Sequence, residues 1–232
     1  MFKDGKNIVV IIPAFNEENA VGSVLADIPK DLVNEIIVVD NNSNDNTRFN
    51  AQSGGATVLD EERQGYGYAC LKGINYVNNK REKPDIVVFI DADYSDYPEE
   101  MNKLVKPIIE QDFDLVIGSR ALGNRERGAM TPQQVLGNML ATTLMRFLYG
   151  VKYTDLGPFR AIKFDKLLEL HMKDTTYGWT VEMQLKAAKK KMRTTEVPVS
   201  YRKRIGFSKV SGTVKGTMMA GYKIITTLLK HV

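Results

Sequence analysis

The sequence is short of several things, and each absence narrows what it can be. Among 232 residues there is one cysteine, Cys70, so no disulfide can close within the chain and a reducing compartment is its natural setting. Set between Ala69 and Leu71 in a helical pattern, Cys70 reads as a small packing residue rather than a nucleophile. Of the two histidines, His171 reads as structural and His231 falls at a fraying end. No uninterrupted run approaches the ~20 apolar residues of a membrane span. The lysines of residues 1–6 have no apolar region behind them, so a secretory leader is not expected. Neither Gly-x-Gly-x-x-Gly nor the Walker lysine pattern occurs, which argues against a dinucleotide enzyme or a P-loop ATPase. No internal repeat or low-complexity segment is visible.

What is present points to one α/β domain. With 43% hydrophobic and 26% charged residues, the composition is that of a folded globular chain. A chain of this length buries about 70–75% of the surface its unfolded form exposes. Charge is unevenly spread: from Lys186 onward 12 Lys and Arg face Glu196 alone, net +11, while the residues before it carry 20 against 27, net −7. Such a basic end suits an anionic partner, membrane or nucleic acid, or is a solvated face.

Apolar, β-branched runs at 8–12, 35–39, 56–59, 86–90 and 114–118 read as buried strands, with helical patterns over 19–28 and 66–77 between them. Alternation of this kind predicts a largely parallel sheet covered on both faces. Ligands of such sheets sit outside the carboxyl ends of the strands. There the chain places Asn16 and Glu17 after the first strand, Asp40 and Asn42 after the second, and Asp91 and Asp93 after the fourth. Because side chains alternate along a strand, Asp91 and Asp93 are expected to converge on one point beyond its end. Two hard oxygen ligands suit Mg²⁺ or Mn²⁺, with water and phosphate oxygens completing the shell. The same pair also reads as a cap of the helix that Tyr97-Pro98-Glu99-Glu100 begins, but capping gives no reason for every early strand to end in acids and amides. Gly65 and Gly67, opening helix 66–77, serve either as an amide cluster near a nucleotide or as points of close packing.

Four stretches, Ile11-Ile12-Pro13-Ala14-Phe15-Asn16-Glu17-Glu18, Val38-Val39-Asp40-Asn41-Asn42-Ser43-Asn44-Asp45, Gln64-Gly65-Tyr66-Gly67 and Asp91-Ala92-Asp93, come in the order and spacing of family-2 glycosyltransferases of the GT-A fold, a Rossmann-like arrangement. Over about residues 7–209 the chain more narrowly resembles the branch containing dolichyl-phosphate mannose and glucose synthases. The resemblance implies inverting transfer of a hexose from a nucleoside-diphosphate sugar. It implies that Pro13, Ala14, Asn16, Glu17 and Asp40 hold the base and ribose, with Asn42, Gln64, Gly65, Asp91 and Ala92 in the same site. Asp91 and Asp93 then serve the diphosphate through the metal, Asp93 as the direct ligand and Asp91 on the donor or through water. Mannose synthases continue Asp-Ala-Asp-x-Gln; this chain has Ser95, so Ser95 or water stands in the metal shell.

For the second half, forked guanidinium hydrogen bonds make Arg120, Arg125 and Arg127 candidates for gripping a phosphate, the alternative for the last two being a solvated loop. A helix over 132–149 would turn Val135, Met139, Thr142 or Thr143, Arg146 and Tyr149 inward, and Gln134 and Asn138 occupy the positions where similar lipid-phosphate synthases carry Arg and Ser. Asp155 and Arg160 are expected to organise the acceptor side. Glu182, in the first turn of a helix after an aromatic cluster, is a candidate general base or else complements the helix dipole. Residues 194–201 read as an edge strand, given Pro198. Arg202, Ser208 and Lys209, in a basic glycine-interrupted loop, can fold over the diphosphate.

The resulting expectation is one GT-A domain over residues 1–212, split into a nucleotide-sugar half (1–118) and an acceptor half (119–212), followed by an amphipathic helix over 213–232 that packs on the domain or lies in a membrane interface. Its setting would be cytoplasmic, peripheral on the inner face of a membrane, with a polyprenyl phosphate as acceptor. Two alternatives stand beside it: a soluble hydroxyl acceptor, for which Glu182 or Asp155 becomes the base, and a catalytically silent nucleotide-binding module that docks on membranes. Nucleic acid is not expected as a partner, because it leaves the acidic strand ends unexplained.

Overall fold

All the strands expected from apolar runs form. In the computed structural model, which describes residues 5–206, 221–223 and 226–227, they are β1 (Ile8–Ala14), β2 (Glu35–Asp40), β3 (Thr57–Asp60), β4 (Ile86–Phe89) and β5 (Leu115–Ser119), with β7 (Thr194–Pro198) at one edge. They join β6 (Arg160–Lys163) in a seven-stranded sheet of order β3-β2-β1-β4-β6-β5-β7. Every pairing is parallel except those of β6, which runs antiparallel to both β4 and β5. The mostly parallel α/β architecture is the one the sequence predicts. β6 is not foreseen: Arg160-Ala161-Ile162-Lys163 has too few apolar residues to announce a central strand.

The helices are α1 (Val21–Asp27), α2 (Thr47–Ser53), α3 (Tyr66–Asn78), α4 (Met101–Gln111), α5 (Pro132–Tyr149), α6 (Phe164–Glu169) and α7 (Trp179–Lys189). Short α2 and α6 escape the sequence reading because neither carries a long periodic stripe. β1 shows how the sheet divides the core. Ile8, Val10 and Ile12 enter the cluster formed with α1 and α4, while Val9 and Ile11 enter the one formed with α3, α5 and α7. Alternation along the strand thus fills both faces. Cys70 is buried in the second cluster, where burial pushes its thiol pKa up, as suits a packing residue.

The register aligns the strand ends that matter. Ala14 at the end of β1 pairs with Asp40 at the end of β2, and Phe89 at the end of β4 pairs with Arg160 at the beginning of antiparallel β6. The loop leading into β6 therefore arrives at the edge where β1, β2 and β4 terminate. α5 departs from its expected orientation. Thr131 and Gln134 form a reciprocal capping box at its start, and its buried residues are Ala141, Thr142 and Met145, whereas Val135 and Met139 are exposed. Gln134 thus caps a helix rather than facing an acceptor. Residues 221–223 and 226–227 are helical, and the Lys223 ammonium meets Asp174 at 3.0 Å. Ser208, Lys209 and the rest of the predicted 213–232 helix lie outside the described residues.

Candidate active site

The carboxyl edge of β1, β2 and β4 is built from loops tied together through side chains. Pro13 and Ala14 occupy the last rungs of β1, beside Val39 and Asp40. Asn16, at φ 54°, donates its N–H to Ser43 Oγ at 3.0 Å and accepts from Asn44 N–H at 2.8 Å. Glu17 N–H donates to Thr47 Oγ1 at 2.7 Å, and Asp40 accepts from Ser43 N–H at 3.3 Å. The first two strand ends are in this way one hydrogen-bonded unit. Asn42 and Gln64 are exposed. The glycines take the packing alternative: a Cβ on Gly65 would run into the Thr175 carbonyl and one on Gly67 into that of Asp174, while Tyr68 N–H donates to Thr175 O at 3.1 Å.

Asp91 and Asp93 do not converge by strand alternation, because β4 ends at Phe89 and the chain turns through residues 92–94, with Tyr94 at φ 62°. Ser95 donates to Asp93 Oδ1 from both its backbone N–H (2.9 Å) and its hydroxyl (2.6 Å), which puts it behind Asp93 as a support. Both carboxylate oxygens of Asp96 are shielded from solvent with no hydrogen-bond partner, and Asp91 has the Tyr66 hydroxyl beside it. Burial, then the Asp93 charge, pushes the Asp91 pKa up to about 7. Burial, then Asp91, raises that of Asp96 well above the ordinary value. Buried carboxylate oxygens lacking a donor are costly unless a positive charge reaches them. A divalent cation therefore fits this donor set. Among the described residues no three His, Cys, Asp or Glu side chains form a closed ligand set, so much of its shell would fall to water and phosphate oxygens.

The segment between β5 and β6 gathers its charges differently. Arg120 grips Asp155 through Nε–Oδ2 and Nη2–Oδ1, each 2.7 Å, and its backbone N–H adds a third bond at 2.8 Å. Burial alone would raise the Asp155 pKa, but the guanidinium overrides it and holds the carboxyl below its usual range. Arg120 and Arg125 line a cleft of about 540 Å³ together with Val135, Asn138, Met139, Thr142, Thr154 and Asp155. Asn138 spends its amide on Thr154 O (3.0 Å) and Leu156 N–H (2.9 Å), shaping the cleft wall. Arg127 is exposed.

Three expected site residues have structural occupations instead. Arg160 is wholly buried and donates to the carbonyls of Leu156, Gly157 and Thr180, so its guanidinium braces the loop before β6 and cannot meet an acceptor. Burial lowers its pKa to about 10. Glu182 accepts from the N–H groups of Lys173 and Asp174 and pairs with Lys186 at 2.7 Å, anchoring a loop in a separate, lysine-lined cleft. Its carboxylate is thus engaged by two backbone donors and a lysine. Arg202 lies over the rings of Tyr94 and Tyr97 and donates to Tyr94 O and Asp96 O.

A model of glycosyl transferase family 2 matches residues 9–170. This chain belongs to that family. An uncharacterized glycosyltransferase of Mycobacterium tuberculosis is 34% identical, across 93% of this chain and 95% of its own. The dolichyl-phosphate hexose transferase of Haloferax volcanii is 31% identical, across 97% and 95%. Among solved structures, glucosyl-3-phosphoglycerate synthase of M. tuberculosis, in complex with Mn²⁺, UDP and glucosyl-3-phosphoglycerate, superposes with a TM-score of 0.76 at 25% identity, covering 99% of this chain and 81% of that one. The GT-A fold expected from the motifs is therefore the observed one.

Within this glycosyltransferase, sequence reasoning missed Asn41, Asp96 and Arg204. Buried Asn41 donates to Glu61 O and Arg63 O and accepts from Gly65 N–H, tying the end of β2 to the start of α3. In a run of asparagines nothing distinguished it. Asp96 had a signal, a third acid three residues after Asp93. Arg204 bridges Glu17 (2.7 Å) and Asp93 (3.2 Å), a contact spanning 187 residues to Glu17.

Proposed function

We propose that this glycosyltransferase moves a hexose, with inversion at the anomeric carbon, from a nucleoside-diphosphate sugar to a polyprenyl phosphate at a membrane surface. The observation carrying the acceptor reading is the cleft lined by Arg120 and Arg125, two of whose wall residues, Val135 and Met139, are exposed apolar side chains of α5. Leu136, Leu140 and Phe147 of the same helix are exposed too. A phosphate head group and an apolar tail thus find adjoining surfaces of matching chemistry. The 31% identity to a dolichyl-phosphate hexose transferase supports the same reading. No helix among the described residues is long and apolar enough to cross a membrane.

On the donor side, Pro13, Ala14, Asn16, Glu17 and Asp40 would hold the nucleoside, with Asn42, Gln64 and Gly65 at its border. Asp93, with Asp91, would hold Mg²⁺ or Mn²⁺, which when bound offsets charge developing on the departing nucleoside diphosphate. The acceptor needs no protein base: the second pKa of a phosphate monoester is about 6, so its oxygen is ionised near neutral pH. This agrees with Asp155 and Glu182 both being engaged in the fold. Arg120 orients the acceptor phosphate while Asp155 fixes Arg120. Likeness to a glucosyl-3-phosphoglycerate synthase favours a second reading, in which the same cleft takes a soluble phosphorylated acceptor.

The deciding assay supplies a panel of labelled nucleoside-diphosphate sugars with Mn²⁺ or Mg²⁺ and membrane extract. Label is expected in the organic phase. Label in aqueous product alone selects the soluble acceptor, and neither transfer nor hydrolysis from any donor overturns the enzyme reading.

A further inference from the structure

Residues 201–205 run antiparallel to residues 93–96: Asp96 bridges Tyr201, Arg202 N–H donates to Ser95 O at 2.9 Å, and Ile205 N–H donates to Asp93 O at 3.0 Å. This ribbon mounts Arg204 directly over the metal-binding turn. Both oxygens of Asp93 are consequently occupied, Oδ1 by Ser95 and Oδ2 by Arg204 Nη1 at 3.2 Å. The other arm of the guanidinium, Nη2, holds Glu17 Oε1 at 2.7 Å. Its Nε is shielded from solvent and has no hydrogen-bond partner. Arg204 is thus a cation already seated where a divalent metal would meet Asp93, with its Nε–H unspent.

We infer that Arg204 couples metal binding to diphosphate binding. This rests on the proposed nucleotide-sugar reading. In the ligand-free chain the guanidinium supplies the positive charge that Asp93 and Glu17 require, and a second cation approaching Oδ2 meets like-charge repulsion. A diphosphate offers a guanidinium better partners, because it carries more charge and accepts forked hydrogen bonds. When the diphosphate takes Arg204, Asp93 Oδ2 is released to the metal. Each ligand then prepares the site for the other, and linkage requires the effect to be reciprocal. Arg204 is in this role a positioning residue, acting through Asp93 and the leaving group rather than on the reacting atoms. The apparent metal affinity of the resting protein is low by design of the site, and metal enters with the donor.

Calorimetric titration of the full chain tests this with Mn²⁺ alone, UDP or GDP alone, and each in the presence of the other. In the wild type, nucleotide should tighten Mn²⁺ by about tenfold or more. Arg204→Gln should tighten Mn²⁺ measured alone by about tenfold, weaken nucleotide measured without metal by a similar factor, and shrink the coupling. Opposite signs on two ligands are what a merely structural arginine would not produce. Arg204→Lys, which keeps the charge but loses the fork, should fall between. Unchanged Mn²⁺ affinity in Arg204→Gln, with nucleotide still bound, overturns the inference and leaves the glycosyltransferase reading intact. Equal Mn²⁺ affinity with and without nucleotide in the wild type overturns it whatever the variants do. Failure of the wild type to bind either nucleotide overturns it together with the donor reading.

Discussion

Asp96, just beyond the end of β4, carries two shielded oxygens with no hydrogen-bond partner, and Asp91 beside it sits among acids, whereas Asp155, Glu182 and Arg160 are saturated by partners within the fold. The same residue types thus do opposite work a few strands apart. A carboxylate left short of donors is poised for a ligand, at a cost to the ligand-free protein. A carboxylate gripped by a guanidinium stabilises the chain and positions its partner. The contrast is one of occupancy, and it can be attacked from both sides.

The largest effect is expected where saturation is broken. Asp155→Asn leaves Arg120 without its buried counter-charge and should cost about 3–5 kcal/mol of stability by urea unfolding at pH 7. Because the folded pKa of Asp155 is depressed below its ordinary 3.8, that stability is present above this value and drains away as pH falls through the folded pKa. The gap between wild type and variant should therefore narrow under acid; a gap independent of pH would remove the ion pair from the account. Next comes Asp93→Asn, expected to lower kcat by roughly a hundredfold or more, since several kcal/mol of charge stabilisation depend on it, and to cost about 1–3 kcal/mol of stability because Arg204 and Ser95 lose the carboxylate they hold. Intact turnover would erase the donor side of the contrast.

Gly67→Ala drives a methyl into the Asp174 carbonyl and should cost about 1–3 kcal/mol, read as a fall in Tm. Glu182→Gln sharpens the comparison most cleanly. It should lose about 1–2 kcal/mol of stability through weakened bonds to Lys173, Asp174 and Lys186. Transfer should persist, where loss of a general base would cut the rate by about 10²–10⁴. The smallest effect belongs to exposed Arg127, whose replacement by Ala should leave stability within about 0.5 kcal/mol.

The carboxyl edge of β1, β2 and β4 was legible because its polar side chains follow strand ends, and strand ends are visible as the points where apolar runs stop. The pleat was expected to present Asp91 and Asp93 together, but β4 ends at Phe89 and a turn carries them instead. The acceptor half resisted reading because its partners are remote in sequence. Nothing near Arg160 announces that it meets carbonyls of residues 156, 157 and 180, and nothing near Glu182 announces the backbone of 173 and 174. α5 deceived for a different reason. Its apolar residues encircle it, so periodicity could not say which arc faces the core. Arg204 lay in plain view as a basic residue, but its value comes from two acids brought to it by the sheet.

The antiparallel strand β6 has an evolutionary corollary. Ile117, near the end of β5, and Arg160, at the start of β6, are cross-strand neighbours, so residues 120 to 159 leave and re-enter the sheet at neighbouring points. That stretch includes the arginine-bearing loop, α5 and the Asp155 turn, and its ends stay clamped however long it is, because loop-closure cost rises only slowly with length. It behaves as an exchangeable cassette. Under the proposed function, rewriting this segment alone would change the acceptor without disturbing the strands on the other side of β4.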